Sequence, residues 1–313
     1  MLSRTAKSIY WMSRYVERAE NYARFIDVNY NLSLEIGPGV PEQWKPLILA
    51  TGDWDLYQEH FQSVTKSDVI YFLSFHKENP NSIKNCLIKA RENARQIRPE
   101  ITKELWEQIN ALYYYITDEN QIKILLEEEP RNLFAEIKKG CQLLYGIFDA
   151  TVSRNEGWNF RTIGQYIERA DKTLRVLDVK YHILLPSTKA VGSTVDLVQW
   201  ASLLKSVSAY DMYRKKNGTL NTRSIVDFLL FDRHFARSVF YCLIEAQVAL
   251  HEISGNRTGY VNEAERRLGA LKSMLEFTNI DAVLTRGLHE FIDDLQRDIN
   301  SVSDAVQETF FFG

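Results

Sequence analysis

From about Ser3 to Leu34, apolar residues recur at three- and four-residue steps, through Met12, Tyr15, Ala19, Tyr22, Ala23, Ile26 and Tyr30. That spacing predicts one long amphipathic helix, stopped by Gly37-Pro38-Gly39. A helix over about Trp44 to Phe61 follows, then Ser67 to Phe75. The run Val69-Ile70-Tyr71-Phe72-Leu73 has a strand's composition, but it has helical neighbours and no alternating partner, so it reads as a short buried helix. Asn79-Pro80 reads as a cap and a first-turn proline opening a helix to about Arg98. Pro99 to Thr117 gives another helix, and Pro130 opens one that ends near Ser153.

The pattern then repeats. Tyr15-Val16-Glu17-Arg18-Ala19-Glu20 returns as Tyr166-Ile167-Glu168-Arg169-Ala170-Asp171. Trp44, Leu47, Asp55 and Tyr57 match Trp200, Leu203, Asp211 and Tyr213, and Cys86-Leu87-Ile88 matches Cys242-Leu243-Ile244. A repeat this long is a duplication rather than a solenoid of short units. The expected fold is all-α, an internally duplicated helical bundle of two similar halves, residues 1–155 and 156–313. Around five or six helices each would sit about an approximate two-fold axis, in the manner of an isologous dimer. If the two long first helices pack together, the halves share one core.

Composition narrows the class. The 313 residues are 45% hydrophobic and 25% charged, as in ordinary globular proteins, with a net charge of -3. That balance gives no reason to expect nucleic acid or an anionic membrane as a partner. Charges interrupt the apolar residues of the first segment, which excludes a signal-peptide core and sets the expectation of a cytoplasmic protein. Cys86, Cys141 and Cys242 stand far apart among apolar neighbours and read as core thiols.

The chemistry on offer is a set of repeated charges. Glu20, Arg24 and Asp27 fall on one side of the first helix at three- and four-residue steps, as do Asp171, Arg175 and Asp178 in its repeat. They can satisfy one another locally and read as a solvated, salt-bridged face. Glu17 and Arg18 have no such partner in both copies, so theirs lie elsewhere. Reciprocal pairing of Glu17 with Arg169 and of Arg18 with Glu168 is one expectation; pairing with other helices is the other. Glu17, Arg18, Glu20, Glu168, Arg169 and Asp171 are therefore the candidate charged cluster, as a structural tie or as a site.

No metal or cofactor is expected. Di-metal bundles need Glu-x-x-His pairs, and none of the six histidines stands three residues after a Glu. In Asp293-Asp294, Arg297 replaces the third carboxylate of an isoprenoid-diphosphate motif. Phosphate-loop, dinucleotide and nucleophile-elbow patterns are missing, so no catalytic constellation is legible.

Residues found in only one half are better candidates for a site than shared ones. Arg91, Arg95 and Arg98 make a basic helix face in the first half, and Arg233 precedes a helix in the second. Such arginines can hold a phosphate or carboxylate; packing against Glu104 or Glu127-Glu128-Glu129 is the favoured alternative.

With Met1-Leu2-Ser3-Arg4, Tyr10-Trp11, Ala90-Arg91-Glu92-Asn93-Ala94-Arg95, Leu105-Trp106-Glu107 and Glu156-Gly157-Trp158 added to the two Glu-Arg stretches, the chain resembles the bacterial alpha-E family over essentially its whole length. That family is an all-helical domain of unknown function with a Glu-Arg signature. Ala236 stands where members often carry proline, which bears on the start of the following helix. The resemblance implies a genomic setting beside ATP-grasp-type ligases and transglutaminase-like proteases, hence a pathway that makes or modifies peptides. It implies a non-catalytic accessory or scaffold partner of the ligase. The alternative is an enzyme or small-ligand binder using the repeated carboxylates and the first-half arginines.

Overall fold

The computed structural model describes residues 1–35, 44–127, 130–182 and 193–312. Sixteen α-helices and no strand occur among them. The first half holds α1 (Ser3–Glu35), α2 (Trp44–Thr51), α3 (Trp54–His60), α4 (Lys66–Ser74), α5 (Ile83–Gln96), α6 (Lys103–Thr117), α7 (Glu119–Glu127) and α8 (Arg131–Thr151). The second holds α9 (Glu156–His182), α10 (Thr194–Ser206), α11 (Tyr210–Asn217), α12 (Thr222–Phe231), α13 (Val239–Ser254), α14 (Glu263–Glu276), α15 (Ile280–Arg286) and α16 (Leu288–Phe310). Each half thus carries eight helices rather than five or six.

Several expected boundaries shift for local reasons. The single helix expected over Trp44 to Phe61 is two, because Gly52 takes φ +77, a left-handed conformation that a side chain disfavours. Pro80 does not open α5. Asn79 is fully buried and spends its side chain on the turn, donating to the Phe72 carbonyl at 3.2 Å and accepting the Asn81 amide at 2.9 Å, so the cap falls to Ser82. Pro99 lies in a short 3-10 turn, and α6 starts after Thr102, whose hydroxyl accepts the Leu105 amide. Gly37-Pro38-Gly39 lies outside the described residues. The strand-like run is α4, and the second half's counterpart of its end lies in α12.

α1 and α9 form the centre and run side by side in the same direction. The Ser13 hydroxyl donates to the Arg161 carbonyl at 2.8 Å, and Gly164 faces the Tyr10 carbonyl so closely that a Cβ there would sit 2.5 Å from it. α5 and α8 pack on α1, and α13 and α16 on α9. The next helices cross over, with α2 lying on α9 and α10 on α1. Buried apolar residues of both halves consequently form one continuous core. All three cysteines lie in it as free thiols; burial pushes Cys86 and Cys242 up to about 12, which keeps them unreactive.

The close crossing sets a prediction. A methyl at position 164 meets backbone, which cannot swing aside, so Gly164→Ala is expected to lower stability in urea by about 1–3 kcal/mol. Gly146→Ala, with open space at its Cβ, should be neutral or slightly stabilising. Equal midpoints for the two variants would contradict the close approach.

Candidate functional site

The repeated Glu-Arg residues meet at the α1–α9 contact. Glu17 is fully buried and receives both arms of Arg169, Nε at 2.8 Å and Nη2 at 2.9 Å. Glu168, equally buried, receives Arg18 in the same two-armed way, at 2.6 and 3.0 Å. The remaining donors differ. Gln165, Asn21 and Arg237 complete Glu17 at 3.3, 3.0 and 3.3 Å. Arg14 and Lys172 complete Glu168 at 2.8 and 3.3 Å. Under the alignment of the two halves, Gln165 and Arg14 occupy matching positions, as do Asn21 and Lys172, and Arg237 and Asn81. Asn81 also joins in, accepting from Arg18 at 2.6 Å.

Glu20 and Asp171 do not belong to a solvated face. Glu20 is completely buried, bound by Arg24 on one oxygen and by Arg237 Nη2 at 2.9 Å on the other. Asp171 is 4% exposed and takes Lys172 at 2.7 Å and Arg175 at 2.9 Å. The local Glu20–Arg24 and Asp171–Arg175 pairs do form, but inside the protein. Solvent is excluded because α5, α8, α9 and α10 surround α1, so its polar stripe faces other helices. Asp27 pairs with Lys138 of α8 as well as accepting from Asn31 of its own helix, and Asp178 bonds His289 of α16 at 2.7 Å, so both reach beyond their own helix.

Seven cations therefore contact four carboxylates. Burial by itself would raise each acid, but the cations outweigh it. Arg169 and Arg237 pull Glu17 down to about 2, and Arg18, Lys172 and Arg14 hold Glu168 well below the usual carboxylate range. Glu20 and Asp171 are lowered by the same balance. Both oxygens of Glu17, Glu20 and Glu168 are occupied, while Asp171 Oδ1 is buried without a hydrogen bond.

Each arginine proposed as an anion site already has a partner, and Arg91 and Arg95 share Glu92. Arg91 donates to Asn110 at 2.7 Å and lies against the Tyr113 ring, and Arg95 is bound by Glu92 at 2.7 Å. Arg98 reaches the Ile101 carbonyl and the Trp106 ring. Arg233 pairs with Glu276 on α14. Their acidic partners are Glu92 and Glu276, not the favoured Glu104; Glu128 and Glu129 lie outside the described residues. The arginine that matters in the second segment is Arg237, which the sequence reading passed over. Its turn is pinned to α9: Asp232 accepts the amides of His234 and Phe235, Thr173 donates to the Arg237 carbonyl at 2.8 Å, and Ser238 caps α13. Ala236 leaves that helix start intact. A turn residue follows no helical period, so only the need of Glu17 and Glu20 for a further cation could have pointed to it.

One acid–histidine group stands apart from this layer. Asp178, His289 and Asp293 are the described residues whose ligand atoms lie close enough to hold a metal ion. The hydrogen bond that Asp178 accepts raises the His289 pKa, with burial opposing it. Asp294 turns away to Arg286 and Arg297.

A family model described as "a predicted alpha-helical domain with a conserved ER motif" matches residues 1–311. The chain belongs to the Alpha-E family. An uncharacterized protein of Mycobacterium bovis and one of Mycobacterium tuberculosis are each 20% identical to it over 330 aligned positions, covering 98% of this chain and 36% of their own length. The Alpha-E chain thus spans about a third of the curated relatives it matches. No solved structure matches it. No helix among the described residues is long and apolar enough to cross a membrane.

In this Alpha-E chain, removing the Glu17 charge strands Arg169 and leaves Arg237 to Glu20 alone, and Glu17→Gln is expected to cost roughly 3–5 kcal/mol in chemical denaturation. A folded-state pKa below the ordinary 4.5 means that the Glu17 contribution is complete above that value and is lost as pH falls toward about 2. The variant's stability should accordingly fall less steeply than the parent's between those limits. Parallel acid limbs would contradict the assignment.

Proposed function

We infer that this Alpha-E chain is a non-catalytic helical partner, an accessory or scaffold subunit working beside an ATP-grasp-type amide ligase in a cytoplasmic pathway that makes or modifies peptides. A transglutaminase-like protease belongs to the same setting. One observation carries the non-catalytic part. All four repeated carboxylates are held below the usual range by direct ion pairs, whereas a general acid or base needs a pKa brought toward neutrality. The Glu-Arg motif is a tie in this reading, and the first-half arginines, already engaged with Glu92, Asn110 and aromatic rings, leave no shared anion cradle.

The ligase itself is proposed from the family's setting. The lengths of the relatives add support: they carry the matching region as 36% of a longer chain, as expected if it works attached to or against another module. We further propose that the two halves descend from one duplicated unit and keep an approximate two-fold relation. Support comes from the same order of eight helices in each half and from the exchanged Glu17–Arg169 and Glu168–Arg18 pairs.

The test is co-expression with an ATP-grasp-type ligase from the same genome. A complex that stays together through affinity and size-exclusion steps at about 0.15 M ionic strength, where exposed charges are screened, is expected. Separate elution of the two proteins at micromolar concentration would remove the reading.

A further inference from the structure

Beyond the ion-pair layer, α1, α2, α9 and α10 line a half-open cavity of about 40 Å³. Its walls are mostly apolar, including Leu32 and Leu47, and four polar side chains also line it, Ser202, Ser206, Asn29 and Gln199. Asn29 is 8% exposed and Gln199 2% exposed, and the NH2 groups of both, Nδ2 and Nε2, are buried without a hydrogen-bond partner. The Gln199 orientation is not arbitrary. Its Oε1 accepts from Lys180 Nζ at 2.5 Å, which leaves its NH2 as the uncommitted end.

An unmet buried donor costs roughly 1–3 kcal/mol, and here two of them line one mostly apolar space. Water can meet the two donors and the serine hydroxyls, so it is the competing occupant, but it leaves the apolar walls unanswered. The missing component is a hydrogen-bond acceptor carried on a small apolar group. It should be neutral: the charge of Lys180 is answered by Asp196 at 2.6 Å, and no charged residue lines the cavity. A carbonyl oxygen has two lone pairs and fits this description. The volume holds about three or four non-hydrogen atoms, taking about 10–15 Å³ of such space per water-sized group, so the carbonyl end of a short amide sits inside and its remaining atoms at the open mouth.

We propose that this cavity is a binding site for a short, neutral aliphatic carbonyl group, a small-chain amide, held by Asn29 Nδ2 and Gln199 Nε2. The site is built in one half only. The position matching Asn29 in α9 is Lys180, already committed to Asp196 and Gln199, so the duplicated frame offers no second copy. The proposal stands independently of any ligase partner.

Isobutyramide is the probe, with isobutyrate as the charged comparison, and the side-chain NH2 signals of Asn29 and Gln199 in 15N NMR are the readout. Saturable shifts of both signals are expected with isobutyramide, at least tenfold tighter than with isobutyrate. Asn29→Leu and Gln199→Met each should weaken isobutyramide binding tenfold or more. Unliganded Asn29→Leu should melt no lower than the parent, since it removes an unmet donor; it carries the test if loss of the Lys180 contact unfolds Gln199→Met. Absence of saturation, equal or tighter binding of isobutyrate, shifts at other residues only, or unchanged affinity in Asn29→Leu would each overturn the proposal.

Discussion

Two glutamates with no exposure to water stand at the crossing of the two longest central helices, and their desolvation governs the rest of the arrangement. A buried carboxylate is tolerated only with a counter-charge and good hydrogen bonds. For Glu17 and Glu168 that counter-charge comes from the other half of the chain, in a two-armed geometry that a lysine could not reproduce. The exchange fixes how far one helix can slide along the other, and the Gly164–Tyr10 approach brings the backbones close enough for the arms to reach. Such pairs are weak evidence of stability relative to an apolar core, but they discriminate strongly against any register that separates the partners.

Around this fixed centre the two halves supply different flanking groups. Each glutamate keeps its guanidinium from across the contact, while the flanking groups alternate between amide and cation: Gln165 against Arg14, Asn21 against Lys172, and Asn81, which accepts from Arg18, against Arg237. The carboxylates remain saturated either way, and the excess positive charge is relieved where Arg18, Arg24 and Arg175 reach solvent, with side chains 12–21% exposed. Asp171 Oδ1 stays uncommitted inside the layer, and two further uncommitted groups, Asn29 Nδ2 of α1 and Gln199 Nε2 of α10, face the cavity between α1, α2, α9 and α10.

Much of this was legible in the chain. Periodicity gives α1 within a residue or so of its end, and Glu17 and Arg18, lacking helical partners, had to be answered from elsewhere. The misreading of Glu20 and Asp171 as surface groups has a definite cause. A helical wheel assigns the polar stripe to solvent, yet a helix enclosed on every side turns that stripe toward its neighbours, whose charges no local window contains. Short helices α3 and α7 and the Ser82 cap depend on a positive φ at Gly52 and on turn hydrogen bonds of Asp118 and Asn79, which leave no periodic trace. Arg237 was hidden for the same reason. The Asn29–Gln199 pair is invisible in sequence because it joins α1 to α10 through space.

The claim that the exchanged pairs tie the two halves is tested most directly by a double-mutant cycle on Glu17 and Arg169, using Glu17→Gln and Arg169→Gln. Unfolding free energies of the parent, both single variants and the double variant isolate the coupling between the two side chains. The account predicts a favourable coupling of about 2–3 kcal/mol, at the upper end for contacting residues. Additivity within about 0.5 kcal/mol, the behaviour of independent sites, would contradict it.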